Sequence, residues 1–149
     1  MKKLLLCAML SLFILGSGIE QLSWAGQATW PAEYRVKVTT RLYNTDYDKV
    51  FNIVVDTIED NGYVVIIANK QNGVIVTDYQ SDEDILQGRG RIKLDFNIRK
   101  IDENTTKLRL NIHCVASSRF HDAENLDNLI DEDNYQDFFD AIDKAINKK

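Results

Sequence analysis

The chain contains little cysteine, proline or histidine. Among its 149 residues there are two cysteines, one proline and two histidines. A disulfide scaffold needs several cysteine pairs, and a structural zinc site needs four cysteine or histidine ligands, so both are disfavoured. Seven glycines and a single proline likewise exclude a collagen-like or low-complexity chain. The remaining composition, 44% hydrophobic and 28% charged, is typical of one globular domain.

Long hydrophobic runs are absent except near the N-terminus. Lys2 and Lys3 precede a mostly apolar stretch over residues 4–15, and the small residues Ser23 and Ala25 follow it. A basic start, a short apolar core and small residues at a cleavage site are typical of a secretory signal peptide. The apolar stretch is shorter than the roughly 20 residues that span a bilayer, so we expect no transmembrane segment after cleavage. The sequence therefore predicts a periplasmic or secreted protein.

These signals divide the chain into three parts. We expect residues 1–25 to form the signal peptide, with cleavage after Ala28 as the alternative. Residues 26–33 contain the only proline and show little periodicity, which predicts a short leader. Residues 34–149 are then expected to form a single α+β domain.

Hydrophobic periodicity predicts the element order β-α-β-β-β-β-α. The predicted elements are a strand over 34–42, a helix between 45 and 61, strands over 63–68, 74–79, 91–98 and 108–114, and a helix over 135–146. Thr45 with Asp48 predicts the start of the first helix, and Asn61 with Gly62 predicts its end. The expected fold class is an α+β two-layer sandwich, with a mostly antiparallel sheet and two helices packed on one face.

A resemblance to a known family rests on three blocks of sequence. They are TRLYNTDYDKVFNIVVDTIEDNGYVVIIANKQNGVIVTDY, the strand pair RIKLDFNIRKIDENTTKLRLNIHC and the closing helix YQDFFDAIDKAI. Together they resemble the small helix-grip modules of bacterial envelope proteins, of which the domains of the outer-membrane assembly lipoprotein BamC are the best-known type. The resemblance covers about residues 34–148. It implies a scaffold that acts by interaction, and it supplies no catalytic residue.

His113 and Cys114 are adjacent on the last predicted strand. Neighbouring residues on a strand point to opposite faces, so these two cannot act together as base and nucleophile. Cys114 belongs to the apolar inward set with Leu110 and Ile112, which predicts a buried thiol. His113 is then expected on the outer face as a solvated residue.

Other candidate sites have the wrong spacing for their chemistry. His121, Asp122 and Glu124 carry metal-binding groups, but their spacing is not that of a metal-ligand set. The acidic stretch over 122–133 lacks the alternating ligands and central glycine of a calcium loop. The pair of glycines at 88 and 90 precedes a strand, whereas a phosphate-binding loop precedes a helix. The sequence therefore predicts no enzyme activity, no cofactor and no metal.

Charge segregation is the feature that points to function. In the predicted sheet one solvent-facing surface holds Arg35, Lys37, Arg41, Arg91, Lys93, Arg99, Lys107 and Arg109, with Asp95 as its only acid. The whole chain has a net charge of −5, so such a basic face would attract an anionic partner. The expected partner is an envelope protein with an acidic surface, or an anionic envelope surface such as lipid headgroups or a polyanion. Nucleic acid is not expected, because of the predicted export and because the face lacks outward aromatics.

Two alternatives to this binding face remain open. Exposed strand positions disfavour acids, so lysine and arginine can accumulate there through strand propensity alone. A carrier of a small apolar ligand is the other alternative, in which Phe138, Phe139 and Ile142 line a cavity between the closing helix and the sheet. The sequence does not determine the oligomeric state.

The predicted cleavage site can be tested directly. We expect the exported protein to begin at Gly26, and Ala25→Leu to cause accumulation of the uncleaved precursor because signal cleavage requires a small residue there. Intact-mass analysis of both proteins checks this. A mature protein that begins after Ala28, and is unaffected by Ala25→Leu, would contradict it.

Overall fold

Within the residues that the structure describes, an antiparallel sheet and three helices form the fold. The computed structural model describes residues 29–81, 90–116 and 125–148. The helices are α1 (Ala32–Thr39), α2 (Tyr47–Asp60) and α3 (Glu132–Asn147), and Asp127–Leu129 forms a 3₁₀ turn. The strands are β1 (Thr40–Tyr43), β2 (Val65–Asn69), β3 (Val74–Thr77), β4 (Gln80–Ser81), β5 (Gly90–Lys100) and β6 (Thr106–Ala116). The predicted α+β class is confirmed, and none of the described helices is long and apolar enough to cross a membrane.

The sheet is built around the hairpin of β5 and β6. Its strand order is β1-β6-β5-β3-β2, with β4 also paired to β5, and every pairing is antiparallel. β5 and β6 have 11 residues each and pair continuously from Gly90 opposite Ala116 to Lys100 opposite Thr106. This ladder is therefore the central element to which the other strands add.

The core lies between the inward face of this hairpin and the helices. The inward residues that the sequence predicts are Ile92, Leu94, Phe96 and Ile98 on β5 and Leu108, Leu110, Ile112 and Cys114 on β6. Each is at most 2% exposed. α2 contributes Val50 and Val54 to the same cluster, and α3 contributes Tyr135 and Phe139. Burying one large apolar side chain stabilises a fold by about 1.5–3 kcal/mol, so this cluster dominates the folding free energy.

The predicted first strand is wrong over most of its length. Residues 34–39 belong to α1, and only Thr40–Tyr43 pair in the sheet. The apolar residues that alternate here also satisfy helical spacing, because Tyr34 and Val38 are four residues apart. Val38 is buried on this helix, while Val36, which a strand would bury, is 54% exposed.

Trp30 explains why the helix is preferred. It lies four residues before Tyr34, with the two rings in edge-to-face contact at 5.5 Å, and it is 3% exposed. Its ring also contacts Tyr135 of α3 at 5.8 Å. The segment interpreted as a leader over residues 26–33 thus contributes one of its aromatic residues to the core.

The ends of α2 follow local rules closely. Its N-cap is Asp46, one residue after the predicted Thr45, and the Asp46 carboxylate accepts a hydrogen bond from the Lys49 backbone N–H at 2.9 Å. At the other end Gly62 has a φ of 85°, and the N–H of Tyr63 donates to the carbonyl of Ile58 at 3.1 Å. This is the glycine-dependent helix ending that the Asn-Gly pair predicts.

The turn between β2 and β3 packs against two other elements. Gly73 in this turn has a φ of 68°, and its carbonyl accepts a hydrogen bond from the Ile98 N–H at 2.7 Å. A Cβ at Gly73 would lie 1.9 Å from the Ile98 carbonyl oxygen. On the other side of the turn, the Lys70 ammonium is 2.8 Å from the Asp48 carboxylate at the start of α2. The turn therefore joins α2 to the end of β5.

Two glycine variants separate backbone strain from steric overlap. Gly62→Ala should lower the free energy of unfolding by about 1 kcal/mol, because its φ is positive but no atom lies within 4 Å of the added Cβ. Gly73→Ala should lower it by about 3 kcal/mol, since overlap with β5 is added to the same strain. Urea denaturation measures both, and equal losses would contradict the tight contact at Gly73.

Candidate functional site

The candidate site is the outer sheet face, which is the face of β5 and β6 opposite the buried core. Its residues are Arg91, Lys93, Asp95, Asn97 and Arg99 on β5 and Lys107, Arg109, Asn111, His113 and Val115 on β6. They alternate with the buried residues of the same strands, and each is half-buried or exposed. The alternation that builds the core therefore also brings these ten side chains onto one surface.

The outer sheet face has an excess of positive charge. Its one acid, Asp95, is 3.5 Å from the Lys93 ammonium and 3.2 Å from His113 Nε2. Within residues 29–81, 90–116 and 125–148, Arg99, Lys107 and Arg109 form no ion pair. These three cations are consequently not neutralised by a described neighbour.

The helix layer carries the opposite charge. The acids of its two long helices are Asp48, Asp56, Glu59 and Asp60 on α2 and Glu132, Asp133, Asp137, Asp140 and Asp143 on α3. The same two helices contain only Lys49 and Lys144 as bases. The two long helices are therefore acidic and the outer sheet face is basic, so the charge of the domain is unevenly distributed.

Apolar and aromatic side chains adjoin the cations on the outer sheet face. Val76 pairs with Asp95 across the sheet, and Ile67 on the next strand pairs with Val76. Tyr79 lies beside β5, with the Lys93 ammonium 5.7 Å and the Arg91 guanidinium carbon 5.9 Å from its ring centroid. The expectation that this face has no outward aromatic residue is therefore wrong at this end.

The structure brings together five of the eight predicted basic residues. They are Arg91, Lys93, Arg99, Lys107 and Arg109. Arg35 and Lys37 are not on a strand, because the segment that contains them is α1. Arg35 instead donates a hydrogen bond to the Trp30 carbonyl at 3.4 Å. The prediction that both residues lie on the sheet is wrong for the same reason that the first strand is wrong.

Arg41 is on a strand but on the side opposite the one predicted. It pairs with the inward residue Leu108, and its guanidinium carbon lies 4.5 Å from the ring centroid of Phe139 on α3. It also donates a hydrogen bond to the Gln136 side chain at 2.8 Å. The cause is Tyr43, which is buried, because residues two apart on a strand share a face.

The alternative ligand cavity involves Phe138, Phe139 and Ile142. Phe139 is fully buried and Ile142 is 1% exposed, so both belong to the core cluster. Phe138 is half-buried and makes an edge-to-face contact with Tyr63 at 5.6 Å. These packed side chains provide no observation that favours a carrier function.

A separate cleft of about 340 Å³ lies where β1 meets the end of α3. Its lining includes Arg41, Tyr43, Thr45, Asp143 and Ile146. Burial and the Asp143 carboxylate raise the pKa of the Tyr43 phenol well above its usual value. The phenol is therefore neutral at physiological pH.

Asp127 is a residue of this region that sequence reasoning missed. One of its carboxylate oxygens accepts a hydrogen bond from the Cys114 N–H at 2.6 Å, and the other is 3.5 Å from His113 Nδ1. The N–H of Leu126 donates to the Cys114 carbonyl at 2.8 Å, so this segment covers part of the edge of β6. The only local signal is the turn in which the Asp127 N–H donates to the Asn125 side chain.

The structure confirms that Cys114 is buried and that His113 is on the outer face. Cys114 is fully buried, and burial together with the Asp127 carboxylate raises the pKa of its thiol to about 11. A thiol of this kind is protonated at neutral pH and is a poor nucleophile.

The other metal and loop candidates are mostly outside the described residues. His121, Asp122 and Glu124 and residues 82–89 fall there. Within the described part of the chain, no cluster of three or more histidine, cysteine, aspartate or glutamate side chains is arranged to hold a metal ion.

Comparison of the chain with protein-family models and with curated protein sequences gives no match. The resemblance to helix-grip envelope modules therefore stays a prediction from sequence patterns, and the function has to be argued from the surface itself.

The buried thiol leads to a test of the site chemistry. We expect iodoacetamide to label Cys114 at pH 8 at least about tenfold more slowly in the native protein than in urea. Folding raises the pKa of the Cys114 thiol from 9.0 to about 11. The protonated thiol therefore contributes fully to the free energy of unfolding below pH 9, and this contribution is lost as the pH rises towards 11. Cys114→Ala should therefore reduce the loss of stability over this range, as measured by urea denaturation. Native labelling as fast as in urea would contradict the buried, protonated thiol.

Proposed function

We propose that this chain is an extracytoplasmic, non-enzymatic binding domain whose outer sheet face docks on an anionic partner surface. The observation that carries the proposal is the group formed by Arg99, Lys107 and Arg109. These cations share one face and form no ion pair with a described residue. The one acid on the two strands of the face, Asp95, is already in contact with Lys93 and His113, and Asp127 beside the face also contacts His113.

The composition of the face argues against strand propensity as its cause. If propensity alone selected the outward residues, threonine would serve as well as lysine or arginine. No threonine occupies an outward position on β5 or β6. Asn97, Asn111 and Asp95 do occupy such positions, although these residue types are poor strand formers. The residues of this face are therefore better explained by their charge and polarity.

The charge distribution favours one orientation of the protein on an anionic surface. The acidic residues of α2 and α3 lie in the layer opposite the outer sheet face. A negatively charged surface would repel the helix layer and attract the sheet, so an encounter would be oriented before contact. The N-terminal signal pattern over residues 1–25 supports an extracytoplasmic site of action. The resemblance to envelope interaction modules supports the same conclusion.

Photo-crosslinking from the centre of the face tests the proposal. A benzophenone amino acid at position 97, between Asp95 and Arg99, should give a discrete adduct in cells that export the protein. The double variant Lys107→Glu and Arg109→Glu should lower the adduct yield at least about tenfold, since it reverses two cations that form no ion pair with a described residue.

A matched control separates this effect from net charge. Lys49→Glu with Lys144→Glu changes the net charge equally but lies on the exposed surface of the helix layer. It should retain the adduct. Loss of the adduct in both double variants, or the absence of any protein or lipid adduct from the folded and exported parent protein, would refute the proposal.

A further inference from the structure

Exposed aliphatic side chains flank the cations on one side of the outer sheet face. Leu42 on β1 lies opposite Lys107, and Lys107 lies opposite Arg99 on the next strand. Leu42 is 65% exposed. Across β1, β6 and β5, an exposed aliphatic side chain is therefore followed by two cations.

The other side of the face has the same character. Val74 lies opposite Asn97, and Asn97 lies opposite Arg109. Ile67, on the edge strand beyond Val76, is 47% exposed. The cations of β5 and β6 are thus placed between aliphatic side chains of β1 and aliphatic side chains of β2 and β3.

This arrangement matches the layered chemistry of a lipid surface. Anionic headgroups attract lysine and arginine side chains, and aliphatic side chains next to them can enter the boundary with the acyl chains. An acidic protein surface would account for the cations equally well, and it is the exposed aliphatic side chains on both flanks that favour lipid as the partner. The acidic helix layer would be repelled by anionic lipid, which leaves one favourable orientation.

We infer that the outer sheet face binds an anionic lipid bilayer, with Arg99, Lys107 and Arg109 at the headgroups and Leu42 and Ile67 entering the interface. This inference rests on the proposed function and names its partner. It also assigns different roles to two sets of residues. The cations supply attraction that salt weakens, and the aliphatic side chains supply a part of the binding that salt does not weaken.

Vesicle cosedimentation tests the role of the cations. The purified exported protein should bind vesicles made of equal parts phosphatidylglycerol and phosphatidylcholine, and should bind vesicles of phosphatidylcholine alone at least about tenfold more weakly. Lys107→Glu with Arg109→Glu should weaken binding at least about tenfold. The control Lys49→Glu with Lys144→Glu should bind within about twofold of the parent protein. All three proteins have the same N-terminus, so a difference in vesicle binding between them comes from the substituted residues.

A second pair of variants tests the role of the aliphatic side chains. Leu42→Ser with Ile67→Ser changes two exposed residues, so the fold should persist. We expect the vesicle binding of this variant to weaken about fivefold at low salt and to disappear at high salt. The parent protein should keep a measurable part of its vesicle binding at high salt.

The outcomes distinguish this inference from the proposed function. Equal binding to both vesicle types, or unchanged binding in the serine variant, would overturn the inference. A protein adduct at position 97 without vesicle binding would overturn the lipid partner and leave the proposed function standing. Absence of both an adduct and vesicle binding would overturn both.

Discussion

The pairing register of β5 and β6 is the constraint on which the rest of the structure depends. Eleven cross-strand pairs hold this hairpin, and residues on each strand alternate between core and outer face. A shift of one strand by a single residue would move Lys93 or Arg109 into the core and Leu94 or Leu110 into water. The free energy that buries the apolar set therefore also holds the cations together on one surface. Stability and the candidate site come from the same hydrogen-bonded ladder.

The long, regular elements could be predicted because one pattern fits them. β5 and β6 alternate over 11 residues each, and α3 repeats its apolar residues at helical spacing between a capping Asp131 and a basic last turn. The segment before β1 could not be predicted in this way, because its apolar residues fit both a strand and a helix. The choice is made by Trp30 packing on Tyr135, more than a hundred residues away in the chain. No local pattern contains that contact.

The candidate site was predictable to the same extent as the elements that carry it. The five cations on β5 and β6 followed from alternation alone. Arg41 was placed on the wrong face because a four-residue strand is too short for its pattern to show which residues face the core. The burial of Tyr43 determines this, and Arg41 faces the same way. Tyr79 and Asp127 lie beside the face through tertiary placement, after a short strand and in a 3₁₀ turn respectively. Their positions depend on how distant segments meet, which a single sequence does not encode in any short motif.

The edge of β6 is shared by two segments that lie far apart in the chain. β1 pairs with its first residues, Thr106 to Arg109, while the segment around Leu126 and Asp127 bonds to the backbone of Cys114 near its end. Closing the β1 side requires a loop of more than sixty residues, which carries a large entropic cost during folding. The central hairpin can form locally, but until both segments dock its apolar strand has unpaired backbone groups along one side. Intermediates with that edge open would be prone to pair with one another. Correct folding therefore depends on how quickly β1 and the segment around Leu126 and Asp127 dock on β6.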